Sequence, residues 1–228
     1  MYKSLIAVIV LSGLLLGCAM SPARQMEHRQ ALFTAIRNHD LAAVKTIVEA
    51  GDVDLDPPYQ PNQINKALAY ATIFGNLEIV QYILAQGVDI DGRVSYYGTA
   101  LLRASEMGHY DMAEFLIRSG ADVNAANSFG FSAVVGYSAT CNTQMLAMAL
   151  EYGGDIDKAH VMTVSNAYGV LAYNPIQWAV SEGNMECVQF LVEHGADLNV
   201  ISRDNETLLE IANSQGHDDI EAYLSNQY

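Results

Sequence analysis

The amino-acid sequence predicts an all-α solenoid of about six helix–turn–helix units with hairpin-like fingers, and three observations carry that prediction. Segments that open on a hinge position and close on a loop glycine recur along the chain. The glycines of such a pair stand 12 residues apart, as in Gly75 and Gly87, Gly108 and Gly120, and Gly183 and Gly195. A small residue returns at one register, in Ala35, Ala71, Ala104, Ala179 and Ala212.

The hinges fall at 39, 75, 108, 141, 183 and 216, with intervals of 36, 33, 33, 42 and 33 residues. They set units at about 29–55, 65–91, 98–125, 131–157, 173–200 and 206–228. The first helix of each unit ends just before its hinge. Thr99 and Asn174 are suited to capping two of these helices, and Pro175 fits a first helical turn, where a missing N–H costs nothing. The recurring alanine lets neighbouring first helices approach closely. The second helix places apolar residues at i, i+1, i+4 and i+5, as in Ile79, Val80, Ile83 and Leu84, which is one helical face. The glycine that follows can take the left-handed conformation that ends a helix. The outermost units carry the polar faces that the ends of a stack require. The fourth unit departs from the pattern, with Tyr137 at the small-residue register and Cys141 at the hinge, so distorted packing is expected there. The long interval before the fifth unit puts nine extra residues within 158–173, which read as an elongated finger or small hairpin.

The 33-residue period, with loops such as Gly120-Ala121-Asp122-Val123-Asn124 and Gly195-Ala196-Asp197-Leu198-Asn199, resembles the ankyrin-repeat family. The resemblance covers about residues 29–228. It implies binding of a protein partner through the fingers and through the concave face of the first helices. Tyr59, Tyr96, Tyr97, Phe129, Phe131, Tyr168 and Tyr173 occupy fingers. The register expected to face the concave groove reads Thr34, Tyr70, Arg103, Gly136, Trp178 and Ile211. Exposed aromatic and arginine side chains on a rigid scaffold are favoured interface anchors. The expected partner-binding residues are therefore Tyr59, Tyr70, Tyr96, Tyr97, Arg103, Phe129, Tyr168, Tyr173 and Trp178. Packing of finger aromatics on a neighbouring finger is the alternative, and it stays open at this point.

The N-terminal segment adds an address. Residues 1–17 contain Lys3 and then an uncharged, largely apolar run from Leu5 to Gly17, the layout of a secretory signal. That run is shorter than the roughly 20 residues a membrane-spanning helix needs. Leu15-Leu16-Gly17-Cys18 resembles the lipobox of bacterial lipoproteins, which implies lipidation at Cys18. Ala19 behind the cysteine implies transfer to the outer membrane, facing the periplasm. Residues 18–28 are then a tether, with a reach of at most about 35 Å at roughly 3.5 Å per residue.

Charge and residue chemistry narrow the function further. The chain carries a formal net charge of −15. Without residues 1–17 it has 10 Lys and Arg against 26 Asp and Glu, a charge of −16. Such a field disfavours nucleic acid and anionic headgroups and favours a neutral or basic protein partner. His109, His194 and His217 sit at hinge and loop positions, and no His-x-x-x-His pair occurs. Asp89, Asp91, Asp122, Asp155 and Asp197 recur with the repeat, so they read as loop and capping residues. No catalytic residue, metal site or cofactor is expected. Cys187 replaces Ile79 and Met112 of other units and reads as a core thiol. A bridge to Cys141 is not expected, because helices of adjacent units pack about 8–10 Å apart while a disulfide needs Cα atoms within about 7 Å. The functional expectation is a membrane-tethered periplasmic binding module. It acts either as an immunity-type inhibitor of a periplasmic effector or as an adaptor or stabiliser of a resident stress-defence enzyme; a structural envelope lipoprotein is the contrasting class.

Overall fold

The computed structural model describes residues 21–57, 66–94, 98–128, 130–158, 160–162, 171–202 and 204–228. Cys18, Tyr59, Tyr96, Tyr97, Phe129 and Tyr168 lie outside the described residues. The chain divides into two compact bodies, Met1–Ser95 and Tyr96–Tyr228.

In the first body, helices α1 (Pro22–Arg37) and α2 (Leu41–Glu49) form one pair, and α3 (Ala67–Ile73) and α4 (Leu77–Leu84) form the next. First helices pack on first helices and second on second, which makes two layers. The segment read as a tether is shorter than expected, because α1 begins inside it. Ser21 accepts the amide of Arg24, Pro22 fills the first helical turn, and His28 is already buried.

The second body repeats the arrangement. Its pairs are α5 (Ala100–Glu106) with α6 (Tyr110–Arg118), α7 (Ala133–Ala139) with α8 (Thr143–Glu151), α9 (Pro175–Ser181) with α10 (Met185–Glu193), and α11 (Leu208–Gln215) with α12 (Asp218–Ser225). Between the second and third of these pairs, β1 (His160–Met162) runs antiparallel to β2 (Leu171–Tyr173), with His160 opposite Tyr173. The elongated finger expected from the long interval is this hairpin.

The local chemistry explains the elements. Thr99, Ser132, Asn142, Asn174 and Thr207 each cap a helix by accepting an amide three residues on. At Asn174 the bond is reciprocal, because Gln177 returns its side-chain oxygen to the Asn174 amide at 3.0 Å. A cap of this kind contributes about 1 kcal/mol. The core faces are those the periodicity marks: Ile79, Val80, Ile83, Leu116, Ile117, Val188 and Leu191 are completely buried. Each such side chain contributes about 1.5–3 kcal/mol by leaving water.

Two registers fix the geometry of the turns. The hinge residue is left-handed every time, with φ of 72°, 72°, 73° and 77° at Gly75, Gly108, Gly183 and Gly216. His39 and Cys141 hold the same conformation at 56° and 50°, which costs a side chain with a Cβ about 1–2 kcal/mol. The distorted packing expected in the fourth repeat is not seen: α7 is regular and its hinge is left-handed like the others. In the loops, Asp54, Asp89, Asp122, Asp155 and Asp197 each accept the amide two residues on, at 2.8–3.0 Å.

Side chains also reach from one loop to the next. Asp56 accepts the Asp89 amide at 3.3 Å, Asn124 accepts that of Asp155 at 2.8 Å, and Asp157 accepts that of Asp197 at 2.9 Å.

A candidate partner-binding surface on the first helices

The expected groove register is only partly open. In the first body, Tyr70 is half-buried and stacks on Phe33, with ring centroids 4.2 Å apart and planes 10° from parallel. Phe74 closes the cluster at 4.9 Å from Tyr70. The result is a rigid aromatic ledge on α1 and α3, in which two rings keep their faces together with little freedom to lose on binding.

In the second body, Trp178 is half-buried, with its indole 5.9 Å from the ring of Phe131. Arg103 and Ile211 do not lie open: they are 8% and 2% exposed. Arg103 folds back along α5 onto Glu106, one turn away, so its charge is spent within the protein. Ile211 belongs to the core of the last repeat. Tyr173 closes β2 opposite His160.

One concave feature among the described residues was not singled out by the sequence. A cleft of about 500 Å³ lies between α5 and α7, lined by Leu102, Ser105, Glu106, Met107, Gly136 and Tyr137, with Tyr110 and Phe131 at its edge. Its wall is mostly apolar side chain. Gly136 contributes no side chain, and Tyr137 fills the small-residue register with a ring that is 1% exposed. The Tyr137 hydroxyl lies 2.6 Å from the Ser105 Oγ. Burial pushes the Tyr137 phenol up to about 12, against a lowering by the Ser105 hydrogen bond. Burial also raises the Glu106 carboxyl, opposed by the Arg103 charge. Met107 and Tyr110 are exposed beside the opening. The signal that marks this place in the sequence is the exchange of the small residue for Tyr137 together with Gly136 next to it.

The arrangement can grip an apolar or aromatic side chain. Among the described residues no group of three or more His, Cys, Asp or Glu is placed to hold a metal ion. No helix among them is long and apolar enough to cross a membrane.

Comparison with known proteins fits this architecture. Residues 9–94, 32–127 and 142–228 match the family described as ankyrin repeats. The chain belongs to the ankyrin-repeat family and is a protein-binding module of that kind. It is 39% identical over 59 residues to the Notch-regulated ankyrin repeat-containing protein of Homo sapiens, which covers 26% of this chain and 52% of that protein. It is 48% identical over 46 residues to the mouse protein phosphatase 1 regulatory subunit 27, covering 20% of this chain and 30% of that one. The chain thus spans about half the length, or less, of these relatives. A longer likeness is to a chain in the structure of the Bd0816 predatory endopeptidase from Bdellovibrio bacteriovorus in complex with immunity protein Bd3460. That match has a TM-score of 0.72 and 27% identity, over 87% of this chain and 98% of the other.

Proposed function

We propose that this chain is an envelope-tethered immunity-type inhibitor, which binds an effector hydrolase of the endopeptidase class and keeps substrate out of its active cleft. The observation that carries the reading is the near-complete overlap with a chain from a complex of an endopeptidase with an immunity protein. In this reading Cys18 carries the lipid, and the protein faces the periplasm from the outer membrane. The partner-binding residues of this reading are Tyr70 on the aromatic ledge of the first body and, in the second body by itself, Trp178, together with the finger aromatics of each body. A net charge of −16 without residues 1–17 speeds encounter with a basic partner through long-range attraction.

The test is a titration of an envelope endopeptidase encoded beside this chain with the full-length protein. A one-to-one complex and loss of turnover at equimolar ratio are expected. A complex without loss of turnover would replace the inhibitor by an adaptor, and no complex at micromolar concentrations would end the proposal. The address is tested separately. Cys18→Ser should move the protein out of the membrane fraction, and retention there would remove the lipid anchor from the reading.

A further inference from the structure

Two thiols meet where the fourth and fifth repeats join. Cys141 sits at the fourth hinge, partly exposed, and its amide donates to the Ser138 carbonyl at 3.2 Å. Cys187 lies on α10 of the next repeat, wholly buried, and its Sγ donates to the same Ser138 oxygen at 3.4 Å. One carbonyl oxygen is therefore shared by the backbone of one cysteine and the sulfur of the other. Cys141 is also close enough to the Cys187 thiol to perturb it. Close by, the side chains of Thr143 at the start of α8 and Glu186 on α10 meet at 3.5 Å. Average helix spacing argues against such a meeting, but Cys141 is not on a helix. The left-handed hinge, φ 50°, carries it off the end of α7 toward α10. Both cysteines are free thiols in this structure.

We propose that Cys141 and Cys187 are a paired dithiol that closes into a disulfide, fastening the fourth repeat to the fifth at their hinge ends. The oxidant required is a disulfide of the thiol-exchange class, either a dithiol oxidoreductase in its oxidised form or a small disulfide such as oxidised glutathione. The partly exposed Cys141 loses its proton to solvent and attacks one sulfur of that disulfide. A mixed disulfide forms, and the first thiolate of the oxidant leaves. Cys187 then loses its proton, its sulfur attacks the Cys141 sulfur, and the second oxidant thiolate leaves. The two cysteines give up two electrons and two protons, and the oxidant is reduced to two thiols. Burial first, then the neighbouring Cys141 and the charge of Glu186, push the Cys187 thiol well above its ordinary range. Closure is then the slow step. Its rate climbs close to tenfold per pH unit from neutrality, because the thiolate fraction does. The proposal is independent of the partner assigned above.

The experiment treats the purified full-length chain with mixtures of oxidised and reduced glutathione, alkylates what remains and maps the peptides by mass spectrometry. Peptides containing Cys141 and Cys187 should appear cross-linked to each other. The melting temperature should rise by about 5–10 °C, and dithiothreitol should reverse both changes. Cys141→Ser, at the partly exposed hinge, should remain folded and lose cross-link and shift together. A glutathione adduct that persists on Cys141 while Cys187 alkylates freely on unfolding would overturn the proposal. So would bridging between chains, or a cross-link that forms only in denaturant.

Discussion

The hydroxyl of Tyr137 lies 2.6 Å from the Oγ of Ser105, joining the first helices of two neighbouring repeats at the register where the other repeats carry alanine. Ser105 also donates to the Leu101 carbonyl at 2.9 Å, so the serine is fixed before the tyrosine meets it. A bulky ring is accommodated by giving its one polar atom a partner. Tyr137→Phe should lower stability by about 1 kcal/mol, the worth of one hydrogen bond. Tyr137→Ala should cost about 3–5 kcal/mol through the void left by the ring. Chemical denaturation of the two variants reads both.

The same residue gives the protein an alkaline limit. Its phenol titrates at about 12 in the folded chain against 10.0 in the unfolded one. The folded state holds the proton longer, so the stabilisation is complete below pH 10 and is lost between pH 10 and 12. The melting temperature should fall across that window. In Tyr137→Phe the fall should be shallower, and an equal fall in both proteins would assign the effect elsewhere.

Opposite signs are expected at two hinges. A Cβ on Gly183 would stand 2.5 Å from the His217 ring, in a backbone already at φ 73°. Gly183→Ala should therefore destabilise by about 2 kcal/mol or more. At His39 the left-handed conformation is already held by a side chain. His39→Gly should be close to neutral or stabilising by up to about 1 kcal/mol, less the loss of the 3.1 Å contact with Asn76. Thermal melts of the two variants on one background test the pair.

Stability and binding should separate at the expected anchors. Arg103→Ala leaves the exposed Glu106 beside nothing cationic of its own turn, and after discounting for solvent screening of that carboxylate should cost at most about 1 kcal/mol. Trp178→Ala and the finger substitutions Tyr96→Ala, Tyr97→Ala and Tyr168→Ala should weaken partner binding by tenfold or more each at hot spots. For the three tyrosine substitutions the melt should stay nearly unchanged. A large loss of melting temperature with intact affinity would make those residues core.

Much of this fold is legible in one sequence because a repeat states its rules several times. The Asx turns at Asp89, Asp122, Asp155 and Asp197, the caps at Thr99 and Asn174, and the apolar face Ile79, Val80, Ile83 all follow from local chemistry. The finger at 160–173 is visible as surplus length. What periodicity cannot give is the destination of a side chain that breaks it. Arg103 shares a register with Tyr70 and Trp178, yet its long stem lets it return to Glu106, so register alone misplaces it. The cleft beside Tyr137 depends on the void left by Gly136 and on Ser105 being free to receive a hydroxyl, both relations between repeats. Helix spacing likewise hides the meeting of Cys141 with Cys187, because an average distance between axes says nothing about a residue carried off a helix end by its hinge.

The loop-to-loop hydrogen bonds that the amides of Asp89, Asp155 and Asp197 donate to Asp56, Asn124 and Asp157 span 33, 31 and 40 residues. Each ties one loop to the corresponding loop of the following repeat, so the gene can lengthen or shorten this surface only in whole repeats. The 40-residue step shows where that rule relaxes. Extra sequence entered between two helix pairs, and the β1–β2 hairpin brings the chain back to where it left. Variation among descendants of this protein should therefore collect in finger length and in the number of repeats, while the lengths of the helix pairs stay fixed.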